Sequence, residues 1–241
     1  MNRLGFNAEG VLSAAKRLHE AGYQLILATH FANADDHDHS LNAIQIERFS
    51  SVLATLKDTI STDIQGSLCN SAGIVNFPEY HYDWVRPGII LYGSSPVVDK
   101  SAQELDLQPA MEFSAQIIAL QTVSANDAIG YGSRWRAQQD TRTALVSVGY
   151  GDGYPRVVTD DAYVTVMDAN DSQSYHCPVI GRVAMDMIVI DISNTPKSLA
   201  IDSKVMLWGN APRVDEVAGH AGTISYELLC RLSIRPNRTQ A

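Results

Sequence analysis

Apolar positions in the first hundred residues recur at two alternating spacings. In "NAEGVLSAAKRLHEAG" the residues Val11, Leu12, Ala15 and Leu18 share one helix face, with Asn7 placed as N-cap and Gly22 as stop. "YQLILAT" follows as an unbroken apolar run of strand length, ending at His30. "SLNAIQIERFSSVLATLKDT" returns to the helical period, with Ser40 as cap and Ile44, Phe49, Leu53 and Leu56 broadly on one face. "SLCNSAGI" and "IILYGSSP" read as short strands running into loops. Helix and strand in alternation predict a parallel sheet of βα units.

The period changes near residue 113. "FSAQIIALQTV", "RTALVSVGY", "YVTVMD", "CPVIGRV" and "MIVIDI" are strand-like runs separated by turn residues. Helical spacing reappears only in "RVDEVAGHAG" and "TISYELLCRL". The expected organisation is an α/β domain over residues 1–110 and a mainly β domain over residues 111–241, joined through the polar, proline-containing "VVDKSAQELDLQP". A closed barrel of eight βα units takes about 250 residues, so the first domain is expected to be an open sheet or the second half of a (β/α)8 barrel. The strand that should feed the first helix is not seen ahead of it.

Composition narrows the class. A hydrophobic fraction of 45% supports a sizeable core. No apolar run approaches the roughly 18 residues of a membrane span, and "MNRLGFNAEG" lacks the basic and apolar segments of a signal peptide. A net charge of −9 argues against nucleic acid as partner. Cysteines 69, 177 and 230 are odd in number and lack metal-type spacing, which fits a reducing cytosol.

Several stretches carry candidate chemistry. In "WVRPGIILYG" a permanent cation, Arg86, precedes a proline and a glycine. Gly88 has no Cβ to keep an anion from the backbone, so the stretch reads either as a phosphate site or as a structural turn. "NSAG" offers Ser71 as a phosphate donor at a strand end or as a helix cap. "AIGYGSRW" holds Tyr131 between two glycines, and "GYGDGYPR" carries Asp152 and Arg156 without a P-loop pattern. "GRVAMDM" combines Arg182, Met185 and Asp186. "HFANADDHDHS" has three histidines and three aspartates, but no helical register aligns them, so it reads as a solvated loop and not a metal site.

In order, "MNRLGF", "THFANAD", "NSAGI", "DWVRPGIILYG", "IGYGSRW", "VGYGDGYPR", "GRVAMDM" and "SYELLCRL" resemble the alanine racemases, isomerases that use pyridoxal 5'-phosphate to interconvert L- and D-alanine. The resemblance implies an N-terminal βα barrel, a C-terminal β domain, and D-alanine supply for peptidoglycan. It implies that Arg86 bonds the pyridine nitrogen, and that Ser71, the backbone of Gly88 and Ile89 and the Tyr226 hydroxyl hold the phosphate. Tyr131 corresponds to the base on the L-alanine side, with Arg3 and His30 around its hydroxyl. An ordinary tyrosine titrates near about 10 and needs neighbouring donors or cations to serve as base. Arg3 and the Met185 backbone would contact the substrate carboxylate, and Tyr150, Arg156, Arg182 and Asp186 would line the substrate entrance. The Tyr131 and Met185 positions serve the partner's site in this family, so a head-to-tail homodimer is implied.

The family's Schiff-base lysine, and a further lysine that supports Arg3, belong to roughly the first third of the family chain, which this sequence does not show. The lysines present are Lys16, Lys57, Lys100, Lys197 and Lys204, none expected to end a barrel strand. By itself the chain is therefore expected to be inactive. A racemase of serine or lysine, and a non-catalytic dimerising or cofactor-binding fragment, stay open as alternatives.

Overall fold

The computed structural model describes residues 1, 3–167 and 173–240. Asp168 of the expected strand "YVTVMD" and Asn2 of "MNRLGF" lie outside the described residues. The chain forms two compact units, Met1–Leu107 and Gln108–Ala241.

The first unit is built on two short parallel strands, β1 (Ile26–Ala28) and β2 (Gln65–Ser67), with Ile26 opposite Gln65 and Ala28 opposite Ser67. Helix α1 (Ala8–Glu20) precedes β1, and α2 (Leu41–Thr59) crosses between the strands. The Asn7 side chain accepts the Gly10 N–H at 2.7 Å and so satisfies one of the amides a helix start leaves open. Helix α2 buries Ile46, Phe49, Leu53 and Leu56, which with Phe31, Leu68, Cys69 and Phe77 make the core of this unit. Ile44, expected on that face, is exposed. It sits two residues from Ile46, about 200° round a helix, so the two cannot share a side. Ser40 also departs from expectation. Its backbone is helical and its hydroxyl caps nothing; the Leu41 N–H goes instead to His39 Nδ1 at 3.2 Å.

Both later strand expectations in this unit are corrected. In "SLCNSAGI" the strand stops at Ser67, and Ser71–Asn76 form a third helix, α3, capped by Asn70 rather than by Ser71. "IILYGSSP" is no strand: Ile89–Tyr92 form a single 3₁₀ turn that ends at Gly93, φ +79°. Of its large side chains Ile89 is buried while Leu91 and Tyr92 are exposed, so the burial of a central strand is missing. Among the described residues β1 pairs only with β2, and Ile26 is 52% exposed.

In the second unit, six antiparallel strands close into a barrel in the order β10-β3-β6-β9-β8-β7. They are β3 (Phe113–Val123), β6 (Thr141–Val146), β7 (Tyr163–Met167), β8 (Ser174–Ile180), β9 (Ile188–Asp191) and β10 (Lys204–Trp208). Closure comes from β10 pairing with both β3 and β7, which leaves no open edge. Val164 and Val166, Ile188 and Ile190, and Val205 and Leu207 alternate inward and pack into one core. A two-residue ladder, β4 (Ala128–Ile129) against β5 (Trp135–Arg136), forms a small hairpin of its own. Helices α4 (Val214–Ala221) and α5 (Ser225–Arg231) end the unit, and Val214, Val217, Ala218 and Leu228 join its core. Among the described residues no helix is long and apolar enough to cross a membrane.

Candidate active site

In the first unit the chemistry collects where β1 and β2 end, the expected place for ligands in a parallel sheet. Arg86 reaches back into those ends. Its Nη1 donates to the carbonyl of Ser67 at 2.9 Å and to the Ser67 hydroxyl at 2.5 Å. Its Nη2 donates to the carbonyls of Thr29 at 2.5 Å and Leu68 at 3.3 Å. These bonds span both strand ends, while Nε takes no part in them. Desolvation draws the guanidinium below its ordinary pKa, though it stays charged at any working pH.

Beside it, the buried Ser71 hydroxyl accepts the Gly88 N–H at 2.7 Å. A Cβ on Gly88 would stand 3.7 Å from that oxygen. The next amide, on Ile89, opens the 3₁₀ turn and has no acceptor among the described residues. A hydroxyl, an open amide and a nearby guanidinium form the donor set an anion needs.

His30 stands two residues past the end of β1. Asn70 Oδ1 is committed to the Gly73 N–H at 3.0 Å, so its Nδ2 is the group 3.2 Å from His30 Nε2. The amide donates, Nε2 accepts, and the neutral ring carries its proton on Nδ1. Desolvation lowers the His30 pKa from its ordinary value, and the charges of Arg86, Arg3 and the N-terminal amine add to the shift. Arg3 itself is exposed. Cys69, whose carbonyl accepts the Arg86 backbone N–H at 2.9 Å, is buried and has its thiol pushed up to about 11 by desolvation. The loop "HFANADDHDHS" folds around the buried Asn42, whose Nδ2 donates to the carbonyls of Asn33 at 3.1 Å and Asp36 at 2.8 Å. Among the described residues no three His, Cys, Asp or Glu side chains are grouped to hold a metal.

The second unit presents another cluster. Tyr131 occupies the tip of the β4–β5 hairpin and is 74% exposed. Gly130 and Gly132 flank it at φ +72° and +73°, a left-handed geometry that residues with a Cβ adopt only at a cost. The hairpin tip rests on Arg182: a Cβ at Gly132 would stand 3.5 Å from the Arg182 Cζ. Next to it, residues 149–153 lie along residues 184–185. Tyr150 N–H donates to the Ala184 carbonyl at 3.0 Å and Gly151 N–H to the Met185 carbonyl at 2.8 Å. A Cβ at Gly149 would overlap the carbonyls of Ala184 and Met185, so only glycine allows this approach. The Met185 N–H has no acceptor among the described residues.

Thus the fold brings together Arg86, Ser71, Gly88 and Ile89, with His30 alongside, and separately Tyr131, Tyr150, Arg182, Met185 and Asp186. Arg156 follows the buried Tyr154 and is exposed; Tyr226 is the second residue of α5 and is also exposed. Two residues outside the sequence expectations touch these clusters. Asn70 holds His30, and Arg235 bonds Asp186 at 2.7 Å. Only the cap position of Asn70 could have been read from the chain, through its three-residue spacing to Gly73.

Comparison with known proteins bears on what these clusters are. Residues 1–96 match the family model "Alanine racemase, N-terminal domain", and residues 110–240 match "Alanine racemase, C-terminal domain". A curated alanine racemase from Psychrobacter sp. is 52% identical over 242 residues, covering 99% of this chain and 64% of that protein. The alanine racemase structure from Acinetobacter baumannii superposes with a TM-score of 0.87 at 49% identity, over 98% of this chain and 62% of that one. The Bartonella henselae enzyme, solved with covalently bound pyridoxal phosphate, gives a TM-score of 0.81 at 28% identity, over 99% of this chain and 63% of that one. The chain therefore spans a little under two thirds of the length of the relatives it matches.

Proposed function

Since this chain belongs to the alanine racemase family, we propose that it supplies the ring, phosphate and carboxylate contacts for pyridoxal phosphate-dependent racemisation of alanine, together with one proton-transfer group. The observation that carries the reading is the Arg86–Ser71–Gly88 arrangement. A guanidinium fixed by four bonds to two strand ends keeps Nε for a ligand, beside a hydroxyl and an open amide suited to a phosphate.

Pyridoxal phosphate, when bound, supplies a conjugated ring that takes up the electron pair left when the α-proton departs. This chain's residues do the rest. Ser71 Oγ and the Ile89 N–H hold the phosphate dianion. Arg86 would face the pyridine nitrogen, where a permanent cation would oppose protonation of its neighbour and so keep the ring a restrained electron sink. Arg3 would bind the substrate carboxylate together with the Met185 N–H of a second copy. Tyr131 Oη of a second copy would remove or return the α-proton on the L side, with Arg3 and His30 as the charges and donors that tune it. The lysines lie on α1, on α2, at position 100 and in the second unit; none directly follows β1 or β2, so the covalent anchor is not assigned to any of them.

The finer architecture belongs to the same proposal. The first unit is read as the second half of a (β/α)8 barrel, residues 1–110, with the β domain over 111–241. Tyr131 and Met185 are assigned to the site of a second copy, and Tyr150, Arg156, Arg182 and Asp186 to its entrance. A cytoplasmic setting suits three cysteines left as free thiols.

The test is equilibrium binding of pyridoxal phosphate to the chain, its Ser71→Val form and its Arg86→Met form, followed by an L-alanine racemisation assay. The assay is run with and without a polypeptide matching the remaining third of the Psychrobacter relative. Saturable binding weakened by both substitutions, and racemisation with the added segment, is the expected result. No saturable binding in any form would refute the reading.

A further inference from the structure

Resting on that reading, we infer that Arg235 is a positioning residue: it ties together the two loops that present Tyr150 and the Met185 amide. The guanidinium bridges two carboxylates. Its Nε lies 3.2 Å from Asp152 Oδ1 and its Nη2 lies 2.7 Å from Asp186 Oδ1. Asp152 stands in the loop of Tyr150, and its second oxygen accepts the Gly149 N–H at 2.9 Å. Asp186 directly follows Met185, whose carbonyl is held by Gly151. One cation thus faces a carboxylate from each loop, and one of them, Asp186, adjoins Met185, whose N–H has no acceptor among the described residues.

The tail that carries Arg235 is itself anchored. Ser233 N–H donates to the Asp152 carbonyl at 3.1 Å, Arg235 N–H to the Ser233 hydroxyl at 3.1 Å, and Arg238 Nη2 to the Ser233 carbonyl at 3.1 Å. A Cβ at Gly153 would come within 2.7 Å of the Leu232 Cα, so the loop and the tail are in backbone contact. At Gly151 a Cβ would overlap the Arg235 guanidinium, and the glycine is what lets the cation pass over the loop.

Without the cation, two carboxylates that converge on one point would face each other and repel. The Asp152 loop would keep its bond to Gly149, while the Asp186 loop would lose its side-chain tether and keep only the Tyr150 and Gly151 backbone bonds, which loosens the Met185 amide. Arg235 touches no reacting atom in this scheme. Its effect falls on the grip of the substrate carboxylate and so on KM more than on kcat.

The test compares Arg235→Met and Arg235→Lys with the unsubstituted chain. Amide hydrogen exchange is followed at Gly151 and Tyr150, with Val146 and Ile190 as barrel references. Expected is a fall of about tenfold in Gly151 protection for Arg235→Met, an intermediate value for Arg235→Lys, and no change at the references. In a racemising preparation, the KM for alanine should rise about fivefold with kcat nearly unchanged. Unaltered Gly151 protection in Arg235→Met overturns the proposal, as does a loss shared equally by the barrel amides. A fall in kcat at constant KM overturns it too. If no preparation racemises alanine, the functional reading fails while the exchange data still decide the role of Arg235.

Discussion

Asn70 holds His30 by its amide nitrogen, 3.2 Å from Nε2, and cannot turn round because its oxygen caps α3 at Gly73. The bond favours the neutral ring, and desolvation with the nearby cations lowers the pKa from the free value of 6.5. For a histidine with a depressed folded pKa, the unfolded chain binds the proton first as pH falls. The stability contribution is therefore complete above 6.5 and is lost as pH drops through the folded value. Imidazole NMR should show His30 titrating below 6.5, and Asn70→Asp should raise the midpoint by placing a carboxylate beside the ring. A wild-type midpoint at or above the free value would contradict this account.

Arg86→Met should destabilise the first unit. It removes the donors for three carbonyls and the Ser67 hydroxyl at the ends of both strands. Bonds from a charged donor contribute more than neutral ones, but water can replace part of the loss at this half-exposed site, so the cost is about 2 kcal/mol. Arg86→Lys should recover only part, since an ammonium cannot match the planar fork. Urea unfolding measures both; equal midpoints for all three forms would show that the guanidinium ties nothing together.

Thiol labelling should single out one cysteine. Cys230 is exposed, while Cys69 and Cys177 are buried with their thiols pushed up to about 11 and about 12 by desolvation. Native alkylation near neutral pH, read by peptide mass mapping, should modify Cys230 and spare the other two until urea is added. Rapid labelling of Cys177 would mean the barrel opens.

The barrel itself can be probed by two isoleucines. Ile190 on β9 is fully buried, whereas Ile118 on β3 is 45% exposed. Ile190→Ala should cost about 3 kcal/mol through lost burial and the cavity left behind. Ile118→Ala should cost about 0.5 kcal/mol or less in the isolated chain. Equal costs would put the wrong face of β3 or β9 inside.

Tyr131→Phe should leave folding unchanged, since the residue projects from a hairpin tip. Under the proposed function it should abolish α-proton exchange from L-alanine in a racemising preparation while pyridoxal phosphate binding persists. Deuterium entering L-alanine from solvent at the wild-type rate would remove Tyr131 from its assigned role.

What the sequence determined by itself was local. The Asn7 cap works through a contact three residues away, and β3 covers "FSAQIIALQTV" from end to end, because burial inside a barrel writes period two into the chain. The eight motifs carried the family, since their order does not depend on knowing any contact. Tertiary structure decided the rest. An apolar run such as "IILYGSSP" has the composition of a strand, yet among the described residues no strand pairs with it, and it closes as a turn between Gly88 and Gly93. Ile44 and Ile46 are equally apolar, and only the packing of α2 selected which one to bury. Arg86 finds Thr29 across 57 positions and Arg235 finds Asp186 across 49. Periodicity reports which face of an element meets water; it holds no information about which distant carbonyl or carboxylate a cation will meet, because folding alone brings those groups within hydrogen-bonding range.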